Sequence, residues 1–263
     1  MKVGQKNWGP KNGWKDVIFN GLNPHLVLVF GERFVLENPE RFIELKELYP
    51  NSKIVMVSSA GNIEGTNLND QITATSLSFE KDSSIQISKI NIELTANSYE
   101  AGIAVAKKLK VKDLKHILLL SDGHLVNGSE LVKGLLSVLP KSITVSGGLA
   151  ADGSRFEKTI VGENSQPKEG EIVAVGFYGD HLKFGSASYG GWDPFGIERK
   201  ITKAIDNRLY ELNGKPALDL YKQYLGEYSK NLPSSALLFP LAVKKKADSP
   251  YIVRTILSID EKD

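Results

Sequence analysis

The chain has 263 residues, of which 41% are apolar and 24% are charged, a composition typical of a globular protein. Its 33 basic and 31 acidic residues leave a formal net charge of +2, so no overall field favours nucleic acid or a membrane as partner. The absence of Cys excludes disulfides and thiolate metal sites. With no apolar signal segment and no apolar run of roughly 18 residues, we expect a cytoplasmic protein.

The first quarter of the chain predicts a βαβ unit. The apolar, Val-containing run His25–Phe30 is typical of a buried strand. Asn38 followed by Pro39 indicates a helix N-cap with proline at the first helical position. The next apolar run, Lys53–Ser58, completes the unit as a second strand.

The following stretch predicts a hairpin and then a second βαβ unit. Gln71–Phe79 and Ile85–Ile92 flank a short polar segment, which favours an antiparallel hairpin. Asn97 and Asn127 each stand three residues before a glutamate, the spacing of a capping box at a helix start. The strands of this unit are His116–Leu120 and Ile143–Val145. We expect the first of them to share one sheet with the two earlier strands.

Beyond Gly153 the pattern predicts strands without intervening helices. Lys158–Val161 is a short strand, and Glu171–Tyr178 is a longer one. A Gly-Asp pair joins the longer strand to Leu182–Tyr189, and a two-residue loop of this kind indicates a hairpin.

The last part of the chain predicts two helices and an incomplete second domain. The spacing of apolar residues from Ile201 to Leu212 indicates one helix, and Ala217–Leu225 is a second that ends at Gly226. Tyr251–Ile259 resembles a strand that needs a partner beyond it. The sequence therefore predicts an α/β module of mixed parallel and antiparallel sheet, built from βαβ units and hairpins over residues 1–213. A partial second α/β domain occupies residues 214–263.

Three predicted strands end in small, polar residues, which favours a binding site. In open α/β sheets, ligands lie outside the carboxyl ends of the strands, where backbone N–H groups and helix N-termini can approach them. Asp122 suits a ligand ammonium and the helix after Asn127 suits a carboxylate, so we expect a small polar ligand resembling an amino acid. The candidate residues are Ser58, Ser59, Ala60, Gly61, Asp122, Gly123, His124, Gly147, Gly148 and Asp152, with Tyr189 and Trp192 at the rim.

Each of these residues also has a purely structural interpretation. Ser, Asp and Gly after a strand are the usual residues of an ordinary turn. Gly147 and Gly148 are equally typical of close sheet packing, and Trp192 of a core aromatic. Ser146 has no recognisable base nearby in the sequence, and no nucleophile elbow, Walker A or dinucleotide motif occurs.

These same segments resemble the FIST N-terminal domain over roughly Val17 to Asn213, and the chain after them resembles the start of the FIST C-terminal domain. The matching segments are Val55–Ile63, Leu118–Gly123, Ser146–Asp152, Val175–Tyr178 and Ser186–Trp192, followed by Pro216–Tyr221, Phe239–Leu241 and Tyr251–Arg254. The resemblance implies a sensory, non-enzymatic module of signal transduction that binds small molecules such as amino acids. It also implies a downstream partner such as a histidine kinase or a cyclase.

Three alternatives remain open from the sequence. A subset of the resembled family binds haem and responds to nitric oxide, for which His124 is the best-placed axial ligand; otherwise we expect no cofactor and no metal. A hydrolase would use Asp122 and His124 as an acid/base pair on water. A scaffold for another protein would expose a large apolar patch near Trp192.

Overall fold

The computed structural model describes residues 1–18, 23–64, 66–69, 71–80, 82–187 and 191–261. The chain divides into two compact units. The first contains residues 1–153 and 157–186, and the second contains residues 154–156 and 187–263. The predicted α/β class with mixed parallel and antiparallel sheets is confirmed.

The first unit contains most of the regular structure. Its strands are β1 (Lys2–Gly9), β2 (Gly13–Ile18), β3 (Leu26–Gly31), β4 (Lys53–Ser58), β5 (Asn62–Glu64), β6 (Asn67–Asn69), β7 (Ile72–Ser78), β8 (Ser84–Asn91), β9 (Leu114–Ser121), β10 (Thr144–Leu149), β11 (Val161–Glu163) and β12 (Glu171–Tyr178). Its α-helices are α1 (Arg33–Glu37), α2 (Pro39–Leu48), α3 (Ser98–Lys107) and α4 (Gly128–Ser137).

Two large sheets form the centre of this unit. The six-stranded sheet has the order β11-β4-β3-β7-β1-β2, in which β3 and β4 are parallel and the other neighbours are antiparallel. The four-stranded sheet has the order β10-β9-β12-β8, in which β9 and β10 are parallel and β12 is antiparallel to both of its neighbours.

The two sheets pack face to face, with helices against both outer faces. Successive residues of a strand point to opposite faces, so Leu26 joins the core between the sheets while Val27 packs beneath α1 and α2. Likewise Leu120 joins the inter-sheet core while Leu119 packs with α3 and α4. The result is a four-layer α–β–β–α arrangement.

Both predicted βαβ units are confirmed, and their helices begin where the capping residues indicate. Asn38 Oδ1 accepts a hydrogen bond from Glu40 N at 3.0 Å, with Pro39 at the first helical position of α2. Asn97 and Asn127 accept hydrogen bonds from backbone N–H groups in the first turns of α3 and α4. These bonds satisfy donors that a helix start otherwise leaves without partners.

The expected single sheet and the two predicted hairpins are wrong. β3 and β4 lie in one sheet and β9 in the other. β7 pairs with β1 and β3, whereas β8 pairs with β12, so the two strands belong to different sheets. The polar stretch between them in the sequence has no turn chemistry that fixes a hairpin. Residues 182–187 form no strand, since both edges of β12 are already occupied by β8 and β9.

The second unit contains β13 (Ile201–Ile205), β14 (Arg208–Leu212), β15 (Lys215–Pro216), α5 (Ala217–Leu225), β16 (Leu241–Val243) and β17 (Ile252–Arg254). The predicted helix from Ile201 to Leu212 is wrong, because β13 and β14 pair as an antiparallel hairpin whose turn holds Asp206 at φ +52°. The predicted helix α5 is confirmed and ends at Gly226, which has φ +54°. β17 pairs with β16 over three residues.

Within the described ranges, no helix is both long enough and apolar enough to cross a membrane.

Candidate functional site

The residues that end the predicted strands meet at one junction between the two sheets. Ala150 N donates to Ser121 O at 2.8 Å, and Ala151 N donates to Ser58 O at 2.9 Å. The loop after β10 therefore joins the carboxyl end of β9 to that of β4. Backbones approach closely here, since a Cβ atom on Gly123 would lie 2.0 Å from Ala150 O. The structure thus places Ser58 and Gly123 beside the same loop.

The polar groups at this junction are engaged with the backbone. Ser58 Oγ accepts a hydrogen bond from Ile160 N at 3.0 Å. The Asp122 carboxylate is fully buried and accepts three backbone hydrogen bonds. Its donors are His124 N and Leu125 N at 2.7 Å each and Gly170 N at 3.1 Å. The carboxylate therefore stabilises the loop after β9, and its buried oxygens are not exposed to a ligand ammonium.

Asp152 is committed to a buried ion pair. Arg33 Nε donates to Asp152 Oδ1 at 2.9 Å, and both side chains are almost fully buried. Glu157 and Glu37 also contact this guanidinium, at 2.7 and 3.3 Å. Burial alone would lower the pKa of Arg33, but the hydrogen bond to Asp152 and the three carboxylates together raise this pKa above its usual value.

The remaining predicted site residues are dispersed. Ser59 Oγ donates to Asn62 Oδ1 at 2.7 Å, and Ala60 and His124 are exposed. Gly61 adopts φ +112° in the loop after β4. Gly147 and Gly148 lie within the edge strand β10. Trp192 belongs to the second unit, and Tyr189 lies outside the described residues.

A concavity lies beside β10, and its lining includes Thr144, Ser146 and His116. It has a volume of about 250 Å³. Its described lining residues are His116, Leu118, Thr144, Val145, Ser146, Phe177, Phe184, Gly185 and Ser186. We call this the His116 cavity. A second cavity of about 470 Å³ is lined by charged loop residues such as Asp180, whose side chain stays largely exposed beside Lys115.

A chain of hydrogen bonds orders the polar wall of the His116 cavity. His116 Nδ1 lies 2.7 Å from Thr144 Oγ1, and His116 Nε2 lies 2.8 Å from Ser146 Oγ. Thr144 Oγ1 also lies 3.4 Å from Lys115 O, to which it can donate. Each ring nitrogen of His116 therefore has a hydroxyl partner.

Two aromatic rings lie against the imidazole in this cavity. Phe184 stacks on the His116 ring, with centroids 4.4 Å apart and planes 14° apart. The Phe177 ring lies 6.1 Å from the imidazole and 5.5 Å from Phe184. The imidazole is 7% exposed, and this burial lowers the pKa of His116 below its ordinary value. The ring is thus held neutral near pH 7.

The sequence analysis assigned His116 to a strand and did not predict its pairing with Ser146. The signal was present in the strand pattern. In a parallel pair with Thr144 opposite His116, Ser146 lies on the same face as both because side chains alternate along a strand. Among the described residues, no group of three or more His, Asp or Glu side chains is arranged to hold a metal ion.

Stability is expected to fall as the pH falls through the ordinary His range. The folded pKa of His116 is depressed, so the unfolded chain binds a proton more readily than the folded protein. The loss begins near the unfolded pKa of about 6.5 and is complete below the folded pKa. Urea unfolding at several pH values in this range measures how steeply the free energy of unfolding depends on pH. His116→Gln should make this dependence less steep. An equal slope in that variant would assign the pH dependence to other groups.

Gly147 is expected to tolerate no side chain, whereas its neighbour Gly148 tolerates one. A Cβ atom on Gly147, which has φ +153°, would lie 1.8 Å from Leu119 O, while a Cβ atom on Gly148 would meet nothing within 4 Å. Gly147→Ala should lower the free energy of unfolding by about 1–3 kcal/mol. Gly148→Ala should stay within about 0.5 kcal/mol of the wild type. Equal losses in urea unfolding would show that the strand pair β9–β10 relaxes around the methyl group.

Comparisons with known proteins identify the family of this chain. The family model of the FIST N domain matches residues 25–215, and that of the FIST C domain matches residues 217–263. The chain is also 33% identical over 132 residues to an uncharacterized protein of Methanocaldococcus jannaschii. That match covers 48% of this chain and only 22% of the relative, so the chain spans a small part of that protein. The chain belongs to the FIST family, whose domains are sensory domains of signal transduction.

Proposed function

We propose that this FIST protein senses a small, uncharged polar molecule that binds in the His116 cavity. The observation that carries the proposal is the lining of this cavity, where one imidazole and two hydroxyls lie near the phenyl rings of Phe184 and Phe177. Such a combination of a few placed polar groups with apolar surface is typical of small-molecule sites.

The chemistry of the wall favours a neutral ligand over a zwitterion. No Asp, Glu, Lys or Arg occurs among the described lining residues, and His116 is held neutral. An ammonium and a carboxylate entering this cavity would lose hydration without gaining an ion partner. A carbonyl or hydroxyl group would instead exchange hydrogen bonds with Ser146 and Thr144, and a planar or apolar part would lie against Phe184.

A matched pair of ligand sets tests this proposal. Calorimetric titration would compare free amino acids with the corresponding N-acetyl amino-acid amides, which keep the side chain but carry no charge on the backbone groups. We expect the amides of apolar and aromatic amino acids to bind and the free amino acids not to bind. Binding of free amino acids alone would overturn the neutral-ligand proposal and return the zwitterion predicted from the sequence.

Two phenylalanine variants locate the binding site. Phe184→Ala removes the ring that stacks on His116 and should weaken binding about tenfold, which corresponds to about 1.4 kcal/mol. Phe195→Ala removes a ring in the second unit that is 93% exposed, and it should leave the affinity unchanged. Unchanged affinity in Phe184→Ala would place the ligand elsewhere.

A further inference from the structure

We propose that Ser146 is a nucleophile activated by His116, and that the His116 cavity transfers the acyl group of small, uncharged esters to this serine. The proposal rests on the same cavity as the proposed function and adds a reaction to it. Two features carry it: the 2.8 Å distance between Ser146 Oγ and His116 Nε2, and the access of Ser146 to the cavity.

The hydrogen bonds along the wall suit nucleophilic activation in one tautomer of His116. In that tautomer Ser146 Oγ donates to His116 Nε2 at 2.8 Å, and His116 Nδ1–H donates to Thr144 Oγ1 at 2.7 Å. Thr144 Oγ1 then donates to Lys115 O at 3.4 Å. A nucleophile, a base within hydrogen-bond reach and a third group that orients the base are the parts of an activated serine. Thr144 is the positioning residue of this set.

The surroundings suit the acceptor role of His116. Phe184 stacks on the imidazole and Phe177 lies close to it, and His116 is 7% exposed. Burial keeps it in the neutral form that accepts a proton. Ser146 is only half-buried and lines the cavity, so a substrate carbonyl can reach Oγ. No ionised side chain among the described lining residues favours a charged substrate.

The reaction balances with these groups and water. Ser146 Oγ attacks the ester carbonyl carbon while its proton passes to His116 Nε2. The bond from this carbon to the alcohol oxygen then breaks, and the departing oxygen takes the proton from Nε2, which leaves a neutral alcohol and acylated Ser146. Water subsequently attacks the acyl carbon and gives its proton to Nε2. Ser146 Oγ takes that proton back as the carboxylic acid leaves. Because a threonine hydroxyl orients the imidazole in place of a carboxylate, we expect slow turnover and a detectable acyl-enzyme.

The test uses p-nitrophenyl acetate and the whole chain. We expect release of p-nitrophenol and, in intact-mass spectra, addition of one acetyl group that peptide mapping locates on Ser146. Ser146→Ala should remove this label, and His116→Gln should slow acetylation by about 10²–10⁴-fold. Ser129→Ala, at an exposed serine of α4 outside the cavity, should react as the wild type does. Acetyl groups only on lysines would overturn the proposal.

A second pair of variants separates activation from simple packing. Thr144→Val keeps the volume of the side chain but removes the acceptor for Nδ1–H, and it should slow acetylation. Thr144→Ser restores a hydroxyl and should recover the rate, which a structural effect of valine alone would not explain. These variants test the same relay if His116→Gln does not fold. Reversible binding of the neutral amides without acetylation of Ser146 would overturn the nucleophile and leave the binding function intact. Acetylation of Ser146 without binding of the amides would support the nucleophile and overturn the proposed binding function.

Discussion

Replacing Arg33 with Met is expected to lower the free energy of unfolding by about 3–5 kcal/mol, because it removes one partner of the buried ion pair between Arg33 and Asp152. Met keeps much of the volume and flexibility of the side chain, so packing changes little. The backbone N–H groups of Glu157 and Lys158, at 3.4 and 3.3 Å, would still contact the Asp152 carboxylate. Urea unfolding of both proteins measures the difference.

A matched lysine variant provides the control for this result. Lys158 contacts Glu37 and Glu169 from a side chain that is 37% exposed, so Lys158→Met should cost less than about 1 kcal/mol. The double variant Arg33→Met/Asp152→Asn should lose less stability than the sum of the losses in the two single variants, because the neutral Asn side chain does not need a cation. Equal losses in the free energy of unfolding of Arg33→Met and Lys158→Met would contradict the claim that a buried ion pair stabilises the fold more than an exposed one.

The sequence indicates the local elements of this fold better than their pairing. Caps such as Asn38 and Asn127 act within three residues, so they predict helix starts without any knowledge of the rest of the chain. Strand pairing is non-local, and nothing in the segments of β7 and β8 encodes that they enter different sheets. The prediction of a helix from Ile201 to Leu212 was wrong for another reason. A four-residue spacing of apolar side chains fits a helix turn and also fits strand alternation, because four is a multiple of two.

The same difference between local and non-local information applies to the candidate site. Small and polar residues after strands marked the junction at Ser58 and Gly123, since close backbone approach leaves a sequence signature. The pairing of His116 with Ser146 joins residues 30 positions apart. It depends on the register of β9 against β10, which the sequence constrains only loosely. The role of Asp122 depended on burial, and burial of a carboxylate after a strand is not visible in the sequence.

Asp122→Asn is expected to lower the free energy of unfolding by about 3 kcal/mol and to leave ligand affinity in the His116 cavity unchanged. The fully buried carboxylate accepts backbone hydrogen bonds through both oxygens, and the amide nitrogen of Asn would face an N–H donor in place of an acceptor. At least one charge-assisted bond, which contributes about 1.5–3 kcal/mol, is lost and a buried donor is left without a partner. Asp180→Asn, at a largely exposed carboxylate, should change the free energy of unfolding far less. Urea unfolding and calorimetric titration of the same preparations separate the two roles: unchanged stability together with lost affinity for free amino acids would show that Asp122 binds a ligand ammonium after all.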